Sequence, residues 1–163
     1  MSQPVVLITG CSSGIGRALA DAFQAAGYCV WASARKAEDL AALSAAGFTA
    51  VQLDVNDGLA LGQLAERLKA EAGGLDVLIN NAGAGAFGLL ENQPWATVEQ
   101  VLTTSLEAPI HLTHALLPWL HAQPQAGRPE HQRRADQRQQ HLRRLRAPQR
   151  QLGADRPGDQ HEG

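Results

Sequence analysis

A chain of 163 residues with 44% hydrophobic content carries enough apolar material for one domain with a real core. A net charge of −2 at pH 7 and the lack of any apolar run near the roughly 18–20 residues of a membrane span point to a globular protein, not a membrane one. The averages hide a break near residue 124. Residues 1–123 hold five Lys/Arg against eleven Asp/Glu, whereas residues 124–163 hold nine Arg and no Lys against five Asp/Glu. The second segment has only Leu142, Leu145 and Leu152 as large aliphatics and no aromatic, Val or Ile, too little to offset its ordering entropy. Two units are therefore expected: a folded domain over 1–123 and an Arg/Gln-rich tail over 124–163, disordered or weakly helical.

Taken in order, Val5-Val6-Leu7-Ile8 reads as a buried strand that breaks at Thr9-Gly10. Gly10, Gly14 and Gly16 follow, then an alanine-rich helix from Arg17 to Ala26. A strand, a glycine loop and a helix N-terminus in succession form an anion site, because unpaired N–H groups and the helix dipole point at the loop. A tight strand-to-helix turn without a ligand would use the same residues. Tyr28–Ser33 reads as a second strand, Lys36–Ala46 as a helix and Phe48–Leu53 as a third strand ending at Asp54. Gly58–Ala72 has apolar residues at helical spacing, with Leu61, Leu64, Ala65 and Leu68 on one face. Leu75–Ile79 is a fourth strand running into Asn80-Asn81-Ala82-Gly83. Two further helical stretches lie between Pro94 and His121, divided near Thr103–Ser105.

Alternating strand and helix with near-continuous apolar strands predicts an α/β fold, a parallel sheet covered on both faces. With right-handed crossovers it is half of a Rossmann-type doubly wound sheet, strand order 3-2-1-4. Ligands in such sheets bind beyond the carboxyl ends of the strands. Here those ends are Thr9-Gly10, Ser33–Arg35, Asp54-Val55 and Asn80–Gly83. Cys11 and Cys29 give neither metal spacing nor a disulfide framework, so no metal site is expected and a cytoplasmic setting is. Cys11 beside a helix N-terminus is open to a lowered thiol pKa; the plainer reading is a small loop residue.

The three motifs Thr9-Gly10-x-x-x-Gly14-Ile15-Gly16, Leu53-Asp54-Val55 and Asn80-Asn81-Ala82-Gly83, at the right strand ends and in the right order, resemble the short-chain dehydrogenase/reductase family over about residues 4–121. The wording of the first motif is most similar to steroid- and retinol-type members. The resemblance implies an oxidoreductase that moves hydride between a nicotinamide dinucleotide and an alcohol or carbonyl. It also implies roles. Gly10, Ser12, Ser13, Gly14 and Ile15 would line the pyrophosphate and adenosine ribose. Asp54 would accept from the adenine amino group with Val55 beside the ring, and Asn81, Ala82 and Gly83 would pass along the nicotinamide side. No carboxylate stands between Ser33 and Lys36 to grip a ribose 2′-hydroxyl, whereas Arg35 offers a fork of donors suited to a 2′-phosphate. NADP(H) is accordingly expected in preference to NAD(H).

The catalytic residues of the family are missing. Its chemistry uses a Tyr-x-x-x-Lys pair, aided by Ser and Asn, in which a lysine one helical turn along lowers the tyrosine pKa. The one tyrosine is Tyr28, inside the second strand, and the lysines are Lys36 and Lys69. Ser105 stands where the family's helix asparagine would be. No catalytic residue is assigned. Where a fifth strand should follow, the chain reads Arg128-Pro129-Glu130-His131-Gln132-Arg133-Arg134, the kind of composition a GC-rich gene yields out of frame. Read one base later, Glu130 to Arg133 permits Asn-Ile-Ser, the family's wording there, so a frameshift is the favoured account of the tail. The rivals are a basic arm for RNA, DNA or an acidic partner, disfavoured by interspersed acids and missing aromatics, and a helix over 130–147 docking through Leu142 and Leu145.

Two functions follow as expectations. The first is the cofactor half of an NADP(H)-dependent oxidoreductase. The second is a non-catalytic dinucleotide-binding or interaction protein with a basic tail. The fourth strand is expected to be an exposed apolar edge. The helix over 106–121 resembles one that pairs between subunits in the family, with Leu112, Leu116 and Leu120 exposed on it as a homo-oligomer surface. Marginal stability follows from both.

Overall fold

The computed structural model describes residues 3–122. The expectations for the tail, including the helix over 130–147, fall outside the described residues. Four parallel strands, β1 (Val5–Ile8), β2 (Cys29–Ala34), β3 (Thr49–Gln52) and β4 (Val77–Ile79), form one sheet in the order β3-β2-β1-β4. Helices α1 (Gly14–Ala25), α2 (Ala37–Ala45) and α3 (Gly58–Ala72) connect them. After β4 come a short 3₁₀ turn (Leu90–Asn92), α4 (Trp95–Leu102), a π-turn (Thr103–Glu107) and α5 (Ala108–Ala122). The expected α/β sheet and its strand order are therefore observed.

Alternation along the strands explains why they read as continuous apolar runs. Val5 and Leu7 point to one face of the sheet and Val6 and Ile8 to the other, and both faces are covered. On the first face Trp31, Val51 and Leu53 join leucines 61, 64 and 68 of α3 and leucines 112 and 116 of α5. On the second, Val30, Ala32 and Ala34 meet Ala20 of α1, Leu43 of α2 and Phe48. The start of α3 is fixed by Asp57, whose Oδ1 accepts from the N–H groups of Leu59 and Ala60 at 2.9 and 3.3 Å.

Two boundaries differ from the sequence reading by more than one residue, and the packing of one helix differs as well. Helix α1 begins at Gly14, not Arg17, because Gly14, Ile15 and Gly16 form its first turn. Strand β4 starts at Val77, not Leu75. Asp76 there exchanges its N–H and carboxylate with the backbone of Val5, at 3.0 and 2.7 Å, and closes the ladder. The third correction concerns α5. Leu112 and Leu116 are buried at 1% and 0% exposure, and Leu120 packs against the same cluster. Leu106, Ile110 and Leu117, at 56%, 58% and 38%, are the exposed stripe instead. At about 100° per residue, Ala108, Leu112 and Leu116 lie on the side of the helix opposite to Leu106, Ile110 and Leu117. The helix is apolar on two faces, and the sheet takes one. Among the described residues β4 is one of the two edge strands, but Val77, Leu78 and Ile79 are half-buried, less exposed than the sequence reading expects, because they pack against the two clusters.

Candidate functional site

The carboxyl ends of all four strands open into one cavity of about 380 Å³. Of the predicted residues, Gly10, Ser12, Arg35, Asp54, Val55, Asn81, Ala82 and Gly83 line it. Ser13, Gly14 and Ile15 do not. Ser13 occupies the N-cap position of α1, Gly14 and Ile15 begin the helix, and Ile15 is 74% exposed.

Thr9 joins the glycine loop to the Asn80–Gly83 segment. Its side chain is buried, and Oγ1 accepts the N–H groups of Asn81 and Ala82, each at 3.0 Å, while donating to Ile79 C=O at 3.5 Å. Asn81 returns the contact, its Nδ2 donating to the carbonyls of Thr9 and Gly10 at 2.9 and 3.0 Å. Gly10 has φ +71° and its missing Cβ would come within 2.9 Å of Ala82 Cα, so backbone conformation and close approach both require glycine. Gly16 is needed for space alone, since a Cβ would overlap Gly10 O and Asn81 Nδ2. The N-terminus of α1 has no side-chain cap and no acidic residue in its first turn, which leaves its N–H groups to serve an anion.

Ser33 carries no signal in the sequence beyond its place at a strand end. Buried at 1% exposure, its Oγ accepts from Gly10 N–H at 3.4 Å and its carbonyl from Cys11 N–H at 2.7 Å, tying β2 to the loop. Cys11 is also buried and its thiol donates to Ile8 C=O at 3.2 Å. Burial pushes this thiol up to about 11, against smaller lowering effects of the Ser33 backbone and the Arg17 charge. A lowered Cys11 pKa is thus corrected: desolvation outweighs the helix N-terminus.

At the far end, Asp54 Oδ1 accepts from Asn56 N–H at 3.0 Å, an Asx turn. Arg35 is exposed on the cavity lining and makes no ion pair among the described residues, whereas Lys36 pairs with Glu38 at 3.5 Å. Sequence reasoning missed Asn56, Ala84, Gln100 and Thr104 on the lining. Ser105 Oγ accepts from Ala84 N–H at 3.2 Å and donates to Ala84 C=O at 3.1 Å, so Ser105 clasps the loop after β4. Tyr28 lies before β2, its ring edge-on to Phe23 with centroids 5.0 Å apart, and packs against the α1/α2 face of the sheet.

Comparison with known proteins agrees with this architecture. A sequence profile described as short chain dehydrogenase matches residues 4–128. An uncharacterized oxidoreductase of Myxococcus xanthus is 38% identical over 124 residues, covering 72% of this chain and 49% of the relative. A short-chain dehydrogenase of Streptomyces avermitilis superposes with a TM-score of 0.69 at 40% identity, covering 73% of this chain and 45% of that one. L-sorbose reductase of Gluconobacter frateurii, solved with NADPH and L-sorbose, superposes with a TM-score of 0.66 at 29% identity over 74% of this chain and 49% of its own. The chain belongs to the short-chain dehydrogenase family of oxidoreductases. It spans just under half the length of each of these three relatives.

Proposed function

We propose that this chain is a binding unit for NADP(H) that carries the cofactor half of a short-chain oxidoreductase and not its proton-transfer residues. The observation that carries this reading is the cavity at the strand ends, lined by Gly10 and Ser12 of the glycine loop, Arg35 and Asp54, with the uncapped N-terminus of α1 directly following that loop. The free N–H groups of α1 suit a pyrophosphate, the Asp54 carboxylate suits the adenine amino group, and Arg35 suits a ribose 2′-phosphate. Ser12, Ser13, Gly14 and Ile15 would flank the pyrophosphate side, Val55 the base, and Asn81, Ala82 and Gly83 the nicotinamide side. NADP(H), when bound, supplies or accepts a hydride. The chain's own residues hold it and orient it; Tyr28 and the two lysines stand apart from any Tyr-x-x-x-Lys arrangement, so no proton donor is assigned.

The restriction to a cofactor half rests on that missing pair and on the change of composition at residue 124. The same reading assigns the protein to the cytoplasm, with a small-molecule cofactor as its partner. No helix among the described residues is long and apolar enough to cross a membrane, and none of their side chains form a metal-binding group. The Leu106, Ile110 and Leu117 stripe is the surface a second copy would use.

Fluorescence titration of the 163-residue chain with NADPH and NADH at fixed salt tests the reading. NADPH binds more tightly, and Arg35→Ala raises its Kd roughly tenfold while leaving NADH nearly unchanged, the expectation for a lost charge-assisted hydrogen bond to phosphate. Equal binding of both cofactors overturns the NADP(H) preference, and no binding of either overturns the site. With a panel of ketones no turnover is expected; turnover that disappears on Gly14→Trp overturns the loss of catalysis.

A further inference from the structure

Asn56 Nδ2 donates to Thr104 Oγ1 at 3.0 Å, joining the turn after β3 to the π-turn across 48 residues of sequence. Both residues line the cavity beside Asp54, with Gln100 one turn back on α4. The Asp54–Asp57 turn is otherwise held by bonds internal to itself, Asn56 N–H to Asp54 Oδ1 and Asp57 N–H to Asp54 C=O, each at 3.0 Å. The cap of α3 belongs to Asp57, so the Asn56 amide is not consumed there. Asparagine in a turn ordinarily bonds its own backbone. Here the side chain reaches another element.

Nor does the core need this bond. Asn56 is exposed, and a solvent-facing hydrogen bond contributes little to folding. Its consequence is geometric. It ties the turn that carries Asp54 to the wall that carries Gln100 and Thr104, while Ser105, one residue on, holds the same wall to Ala84. The acceptor also lies in a π-turn, a local widening of the helix that is frequent at functional sites.

We propose that the Asn56–Thr104 hydrogen bond is a positioning tie for the adenosine end of the dinucleotide, setting the width of the slot between Asp54 and α4. This rests on the dinucleotide reading above. The two residues act through Asp54 and the slot wall, and neither takes part in hydride transfer.

Calorimetric titration of the full chain with 2′,5′-ADP and, separately, with inorganic pyrophosphate tests the tie. Thr104→Val removes the acceptor at nearly constant volume, Thr104→Ser keeps it, and Asn56→Ala removes the donor. The expected result is a 2′,5′-ADP affinity roughly three- to tenfold lower in Thr104→Val and in Asn56→Ala, within about twofold of wild type in Thr104→Ser, and no lower in the double variant than in either single one. Pyrophosphate, held by the glycine loop, binds all variants alike. The tie is overturned if Thr104→Val binds 2′,5′-ADP as wild type does, if the two losses multiply, or if pyrophosphate weakens in parallel, which marks general loosening. Failure of the wild-type chain to bind NADPH or 2′,5′-ADP at all would instead overturn the dinucleotide reading, and this inference with it.

Discussion

One substitution made at two glycines should have opposite effects. Gly16 lies in the first turn of α1 outside the left-handed region, so alanine meets no backbone strain there. The added methyl overlaps Gly10 O and Asn81 Nδ2. Neither yields cheaply. Gly10 is already pressed against Ala82, and Asn81 Nδ2 holds the carbonyls of Thr9 and Gly10. Overpacking costs about 1–3 kcal/mol, and displacing Asn81 adds about 1 kcal/mol for each bond lost. The better helix propensity of alanine returns at most about 1 kcal/mol. With both Asn81 bonds lost, a net loss of about 2–4 kcal/mol is expected for Gly16→Ala. Gly62 sits in the exposed interior of α3 with nothing within 4 Å of its absent Cβ, so Gly62→Ala should gain up to about 1 kcal/mol. Urea unfolding of the full chain, followed by circular dichroism, reads both. With slopes of order 1–3 kcal/mol/M, the midpoint should fall by roughly 1–2 M for Gly16→Ala and rise by a few tenths for Gly62→Ala, with unchanged slope. An unmoved or raised midpoint for Gly16→Ala would show that the loop relaxes around the methyl and refute the close-packing argument. A lowered midpoint for Gly62→Ala would refute the reading of α3 as open on that face.

Two further outcomes can be checked on the same protein. Thr9→Val keeps the shape and deletes the acceptor of two backbone N–H groups, so it should lower stability by about 2–4 kcal/mol and abolish NADPH binding, whereas Thr9→Ser should retain both; equal stability of the three proteins in urea would contradict the buried junction. The Cys11 thiol, raised to about 11 from an ordinary 9.0, stays protonated in the fold where the unfolded chain ionises. Folding stability attributable to it is therefore present below pH 9 and lost as pH climbs from about 9 towards about 11. A Cys11→Ala chain should show a shallower alkaline decline in unfolding midpoint, and in the native wild type an aromatic disulfide reagent at pH 8 should label Cys29 well before Cys11; simultaneous labelling would refute the burial.

Much of the cavity is legible in the sequence because its parts are local. The run Val5–Ile8 breaking into Gly10, Gly14 and Gly16, the strand ending at Asp54, and Asn81-Ala82-Gly83 each announce a strand end by residue type, and the parallel topology gathers those ends at one edge. What stays hidden depends on contacts far apart in sequence. Ser33, Asn56, Thr104 and the bonds of Ser105 to Ala84 are ordinary polar residues until the strand order sets them opposite partners 21 to 48 positions away.

By itself, then, the sequence determined the alternating elements, the parallel sheet and the glycine-rich crevice, since periodicity and turn chemistry are properties of short stretches. It also excluded a Tyr-x-x-x-Lys pair from these 163 residues. Only the tertiary structure decided that Leu112 and Leu116 face the sheet while Leu106, Ile110 and Leu117 face outward, because α5 is apolar on both sides and periodicity does not say which side a sheet will cover. The same holds for Cys11. Its place beside a helix N-terminus suggests a reactive thiol, but burial in the cluster that holds Ile8, Ala20, Val30 and Ala32 removes water from the sulfur and decides the sign of its pKa shift.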